Sequence, residues 1–128
     1  MALIKSFRDL NVYKTARAET EIIYRRSRNF PAEEKYSLTD QIRRSSRAVK
    51  AMVAEAWARR RYRAVFINKI DEALGEANET QSWLDDCVDC GYISPVEFKQ
   101  MDAAWQSIGA MLNKMIAKSD DFCGESDN

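Results

Sequence analysis

Apolar residues recur along this chain at helical spacing, in four stretches separated by short breaks. From about Asp9 to Arg28, Val12, Ala16, Ile23 and Ser27 fall on one face, with Tyr13 and Tyr24 beside it. Asn29-Phe30-Pro31 ends this stretch, because proline bars the residue before it from helical geometry. The connection from Ala32 to Tyr36 has room for one helical turn. A second stretch opens at Ser37 with Asp40 three residues on, the spacing of a capping box. Leu38, Ile42, Val49, Val53 and Ala56 follow, and the small Ser45, Ser46, Ala48, Ala51 and Ala54 allow a close helix contact. Arg59-Arg60-Arg61 closes it, where cations favour the helix dipole.

The third stretch reads as a heptad: Ile67, Ile70, Leu74, Ala77, Gln81, Leu84 and Val88 alternate by three and four. Cys90-Gly91 supplies its stop, with glycine where a left-handed residue is expected. Ser94, Pro95 and Glu97 are three concordant start signals for the fourth, which continues through Phe98, Met101, Trp105, Ile108, Leu112 and Met115. The pattern predicts an all-α fold, an up-down-up-down antiparallel four-helix bundle over residues 1–118. Residues 119–128, acidic and apolar only at Phe122, are expected to be a disordered tail.

Composition narrows the chemistry. The 128 residues include no histidine, which excludes Ser-His-Asp triads, Cys-His dyads and every metal site with an imidazole ligand. Met1-Ala2-Leu3-Ile4-Lys5 meets charge too early for a signal-peptide core, and no apolar run reaches membrane-spanning length. With three cysteines, a poor disulfide framework, the expectation is a cytoplasmic protein without a membrane partner. Cys87 and Cys90 form a CxxC at the end of a helix, where the dipole opposes thiolate formation, so they read as packing and half-exposed thiols.

Twenty basic side chains balance twenty acidic ones, but not locally. Residues 1–63 carry 16 basic and 7 acidic side chains, net +9, and residues 64–128 carry 4 and 13, net −9. On the third stretch Glu72, Glu76 and Glu79 form one stripe, with Glu55 on the second. A di-iron bundle would need Glu-x-x-His motifs that are absent, so no metal or other cofactor is expected. The matching stripe of Arg43, Arg47 and Lys50 favours ion pairing instead, with Arg43 or Arg47 meeting Glu72, Glu76 or Glu79. The run Arg59-Arg60-Arg61-Tyr62-Arg63, near Trp57 and Phe66, interleaves cations with aromatics as nucleic-acid surfaces do. It also lies at a helix junction, where arginines cap carbonyls. Tyr24, Trp57, Trp83 and Met111 sit beside the seams, as residues of a broad core stripe or of a subunit interface do.

Certain segments resemble a known family. They include Phe7-Arg8-Asp9-Leu10-Asn11-Val12-Tyr13, Phe30-Pro31-Ala32-Glu33-Glu34-Lys35-Tyr36-Ser37-Leu38 and Gln41-Ile42-Arg43-Arg44-Ser45-Ser46-Arg47-Ala48-Val49. Ala54-Glu55, Gly75-Glu76, Glu79-Thr80, Trp83-Leu84 and Gly91-Tyr92-Ile93 extend the match to about Ile116. Together they resemble the bacterial four-helix-bundle proteins of ribosomal RNA intervening sequences, related to the accessory variability determinant of diversity-generating retroelements. Ala56 departs from a glycine often found there, a change that favours the helix. The resemblance implies a homopentameric ring without enzymatic activity. In the retroelement branch it implies binding of nucleic acid and a reverse transcriptase through a basic surface.

Two functions follow as expectations. The first is a non-enzymatic, self-assembling interaction or scaffold protein whose main partner is itself, with Tyr24, Trp57, Trp83 and Met111 at the subunit interface. The alternative is an RNA- or DNA-binding accessory protein using Arg43, Arg44, Arg47, Lys50, Arg59, Arg60, Arg61 and Arg63. An enzyme or metal protein built on Glu55, Glu72, Glu76 and Glu79 is disfavoured by the missing nitrogen ligands.

Overall fold

Four long helices form where the apolar periodicity places them: α1 (Asn11–Ser27), α2 (Leu38–Ala58), α3 (Arg63–Asp89) and α4 (Pro95–Ala117). A fifth, α5 (Asp120–Cys123), is a single turn, and 3-10 turns occupy Phe7–Asp9 and Ala32–Glu34. The computed structural model describes residues 3–124. α1 packs on α2, α2 on α3, α3 on α4, and α4 back on α1. Contacts between neighbours pair rising numbers with falling ones. Lys50 lies over Tyr13, Thr20 donates to the Ser46 carbonyl, and Arg43 donates to Ser27. Ser45 and Lys69 of successive helices likewise meet Thr80 and Glu55, so the neighbours run antiparallel. The result is a four-helix bundle.

The local signals act with two corrections. Ser94 accepts from the Glu97 N–H while Glu97 accepts from Ser94 N–H, the reciprocal capping box expected, with Pro95 opening α4. At Gly91, φ is +76°. The Tyr92 N–H bonds the Cys87 carbonyl and the Gly91 N–H the Val88 carbonyl, a Schellman stop that needs the left-handed residue. Ser37, by contrast, does not cap α2 with its side chain. Its hydroxyl instead donates to Glu34 at 2.6 Å, and the same carboxylate oxygen accepts from the Leu38 N–H at 3.3 Å. Glu34, held one turn upstream by the Ala32–Glu34 turn, does the capping. The expected Ser37–Asp40 box is therefore replaced.

The second correction concerns α3. Ile70, Ala77 and Leu84 are buried as expected, but the residues completing the innermost seam are Phe66, Ala73, Thr80 and Cys87. Ile67, Leu74, Gln81 and Val88 are half-buried. The reason is that α3 serves two neighbours. Thr80 faces α2 through Ser45 at 2.8 Å, while Gln81 donates to Asp102 and Gln106 of α4 and Leu74 lies over Gly109. A helix wedged between two others needs an apolar stripe wider than one heptad seam. The α2 and α4 seams are as expected: Leu38, Ile42, Val49, Val53 and Ala56 are buried, and so are Met101, Trp105, Ile108, Leu112 and Met115.

The chain end corrects the expected tail. Residues 119–124 are ordered: Ser119 is buried, α5 forms, and the Phe122 ring stacks on Phe66 with centroids 5.7 Å apart. Arg63 donates to Ser119, to the Asp120 carboxylate and to the Gly124 carbonyl. Ser119, Asp120, Phe122 and Gly124 find partners in Arg63 and Phe66 at the start of α3, which holds this segment against the bundle. Residues 125–128 of the expected tail lie outside the described residues.

The opposite end of the bundle is clasped by polar groups. Arg26 of α1 meets Glu97 of α4 through two hydrogen bonds, 2.6 and 3.0 Å, and also donates to the Tyr92 carbonyl. These bonds, with those from the Ser94 backbone, hold the Glu97 carboxyl at about 2. The Tyr92 hydroxyl donates to Glu34 at 2.9 Å, which pushes the phenol up to about 12.

Candidate interaction surfaces

Helix α2 carries cations on both flanks, and the flanks differ. Towards α3, Arg44 reaches Glu79 at 2.8 Å and Glu76 at 3.9 Å. The same Glu79 oxygen accepts from the Trp83 indole at 3.1 Å. Further along, Lys69 bridges Glu55 at 3.3 Å and Glu72 at 3.4 Å, and the Glu55 bond raises its pKa. The acidic residues are paired, but not by the expected cations: Arg44 and Lys69 hold them, and within the chain Arg43 and Arg47 do not reach Glu72, Glu76 or Glu79. Successive helical residues point about 100° apart. The Ser45–Thr80 contact turns α2 so that position 44 looks at α3 while 43 and 47 look at α1.

Towards α1, no carboxylate answers among the described residues. Arg43 donates to the Ser27 hydroxyl at 2.8 Å and lies 4.7 Å over the Tyr24 ring. Arg47 and Arg28 approach the same ring at 5.4 and 5.3 Å. Below them runs a groove of about 780 Å³ between α1 and α2, lined by Lys14, Arg17, Tyr24, Arg47 and Lys50. Lys14 and Arg17 were missed in the sequence reading. Their i, i+3 spacing on the polar face of α1, matching Arg47 and Lys50 on the antiparallel α2, was the available signal.

The arginine run at the α2–α3 junction is spent largely within the fold. Arg60 stacks on Trp57 at 3.5 Å and donates to its carbonyl at 2.7 Å. Arg61 leans over Tyr62, and Arg63 holds the chain end. Arg59 is exposed. The aromatic candidates separate in the same way. Trp57 is covered by Arg60, whereas Tyr24 lies under guanidinium groups and remains 37 % exposed.

Trp83 and Met111 are half-buried, each in a depression of its own. Trp83 shares about 510 Å³ with Tyr36, Leu38, Glu34, Asp86 and Cys90. Met111 shares about 650 Å³ with Ile4, Leu10, Val12, Met115 and Phe122, rimmed by Lys14, Lys114, Lys118, Asp9 and Asp121. Cys87 is buried and its thiol is pushed up to about 12, chiefly by that burial, which suits packing and not redox chemistry. No group of histidine, cysteine or carboxylate side chains able to hold a metal occurs among the described residues. Nor is any of their helices long and apolar enough to cross a membrane.

Comparison with known proteins agrees with this architecture. The family model of the 23S rRNA-intervening sequence protein matches residues 8–114. The chain belongs to that family. A solved relative of this 23S rRNA-intervening sequence protein is a protein of unknown function from the S23 ribosomal protein family of Bacteroides thetaiotaomicron. It is 29 % identical and superposes with a TM-score of 0.75 over 83 % of this chain and 95 % of its own. No curated protein matches the chain.

Proposed function

We propose that this is a non-enzymatic, self-assembling helical interaction protein whose copies join head to tail into a homopentameric ring. The observation that carries the reading is the placement of the two apolar depressions. The Met111 depression lies between α1 and α4, at the end where α1 begins. The Trp83 depression lies by α2 and α3, at the end where α2 begins. In an antiparallel bundle these are opposite faces and opposite ends. A contact joining two different patches is heterologous, and it closes into a ring when the rotation permits.

Their rims are complementary in charge. The lining of the Trp83 depression carries Glu34 and Asp86, with Lys35 over its Tyr36 ring, while three lysines and two aspartates rim the Met111 side, so the balance is acidic on one and basic on the other. Tyr36, 84 % exposed beside Trp83, is the ring with most to gain from cover. The number five rests on the family resemblance alone. Light scattering coupled to size exclusion should report about 74 kDa, five times the 14.8 kDa chain. Tyr36→Asp, at a site too exposed to disturb the core, should lower that mass. A monomer mass for the native protein at micromolar concentration refutes assembly, and a dimer refutes the stoichiometry.

A further inference from the structure

The α1–α2 groove lies apart from the two depressions of the proposed assembly except at Lys14, which it shares with the Met111 depression. Lys14 and Arg17 stand on one wall and Arg47 and Lys50 on the other. None of the four makes an ion pair among the described residues. The one carboxylate in the lining, Glu21, is engaged by Arg25 at 3.2 Å. Four like charges gathered beside one lining carboxylate that is already engaged work against folding, since each repels the others across the groove, although Lys14 also acts on the nearby Asp9. The same chain places carboxylates opposite Arg44 and Lys69. On α2 the cations without an ion pair among the described residues, Arg43, Arg47 and Lys50, therefore share the α1 flank.

The shape selects among anionic ligands. The cations line the two walls of a concavity instead of standing on a ridge, so they converge on one backbone. On each wall the pair is three residues apart, a rise of about 4.5 Å, which presents charge along the groove and not at one point. Tyr24 adds a ring 37 % exposed, held at one end by Arg43, Arg47 and Arg28. Basic walls that track a backbone beside an aromatic face are the elements of single-strand recognition without sequence preference.

We propose that this groove binds the phosphodiester backbone of a single-stranded nucleic acid, with Lys14, Arg17, Arg47 and Lys50 on phosphates and Tyr24 against a base. The site lies away from the arginine run of residues 59–63, whose Arg60 and Arg63 are committed to Trp57 and to the chain end.

The test is fluorescence anisotropy of the full chain with labelled 20-nucleotide probes of mixed sequence, as single-stranded RNA, single-stranded DNA and duplex DNA, and with inorganic phosphate as competitor. Single strands should bind at low salt, with a log–log salt slope of roughly −3, four phosphates at about −0.7 each. Arg17→Glu combined with Arg47→Glu should weaken binding about ten-fold or more, while Arg44→Gln and Arg60→Ala leave it within about two-fold. Circular dichroism confirms that each variant is folded, and the RNA and DNA arms identify which strand is preferred. No binding at low salt overturns the proposal, as does tighter binding of duplex, or full competition by inorganic phosphate at millimolar level. So does a groove variant that changes the oligomeric mass but not the affinity for strands, because the groove would then be a contact for protein. Assembly is read from mass alone, so its failure leaves this result standing and the reverse also holds.

Discussion

Arg43 and Arg44 are adjacent in sequence and meet opposite fates. Arg44 faces α3 and is neutralised by Glu76 and Glu79, while Arg43 faces α1 and finds a hydroxyl and an aromatic ring. The α3 flank of α2 is polar, paired and closely packed around Ser45 and Thr80, both fully buried. Across the α1 flank no ion pair joins the two helices among the described residues, and the ion pair that ties α1 to another helix is with α4, between Arg26 and Glu97. One flank thus holds the bundle together, and the other keeps its charge available. The separation follows from a rotation of about 100° per residue about a single helix.

The comparison can be broken most forcefully at its packed side. Ser45→Leu would push a larger side chain into a fully buried contact and should cost about 1–3 kcal/mol. Ala51→Leu on the open groove side should stay within about 0.5 kcal/mol. Thermal or denaturant unfolding of the two variants reads the contrast directly, and equal losses would mean that both flanks are packed alike. Thr80→Val removes the hydroxyl 2.8 Å from Ser45 and should cost about 1 kcal/mol, the worth of one hydrogen bond.

Charge deletions come next in size. Arg44→Gln should cost about 1 kcal/mol or less, since the arginine side chain is 52 % exposed, and the cost should shrink as salt is added. Lys50→Gln should leave the unfolding midpoint unchanged or slightly raised, because it relieves repulsion without breaking a pair. A lysine deletion that destabilises as much as the arginine deletion would erase the difference between the flanks.

The smallest effect at neutral pH is a change with acidity. The Glu97 carboxyl lies at about 2 in the fold against an ordinary value of 4.5, with the Arg26 hydrogen bond as the largest cause. A depressed carboxylate contributes its stability above the unfolded value and loses it as pH falls towards the folded one. The midpoint of the native protein should therefore drop between about pH 4.5 and pH 2, and less steeply in Glu97→Gln. An identical acid profile for that variant would leave the α1–α4 clasp without energetic weight.

How far the sequence reveals these features depends on how local they are. The Ser94-Pro95-Glu97 start and the Gly91 stop are set by neighbours within four residues, and both stand as expected. The α2 and α4 seams were legible because each buries one stripe. On α3 every second seam position is one residue earlier than expected, at Phe66, Ala73, Thr80 and Cys87, because its pattern sums contacts to two neighbours. The cap of α2 was missed since Glu34 acts from a preceding turn whose geometry depends on Tyr92, 58 residues away. Of the charged candidates, the acidic stripe was visible but not its partners, which are Arg44 and Lys69 because the small Ser45 and Thr80 set the rotation of α2. Lys14 and Arg17 escaped notice because an isolated solvent-facing lysine and arginine acquire meaning only opposite another helix.

The short helix α5 has a consequence for the order in which the molecule closes. Its contacts with Arg63 and Phe66 span 56 to 61 residues, nearly half the chain, and rest on a single helical turn. Joining such distant segments spends loop entropy that only the finished bundle can offset. Residues 119–124 are therefore expected to act as a latch that shuts after the long helices have paired and opens before they part. Amides from Asp121 to Gly124 should exchange with solvent ahead of those in α3, and removing residues 119–128 should uncover Phe66 without unravelling the helices around it.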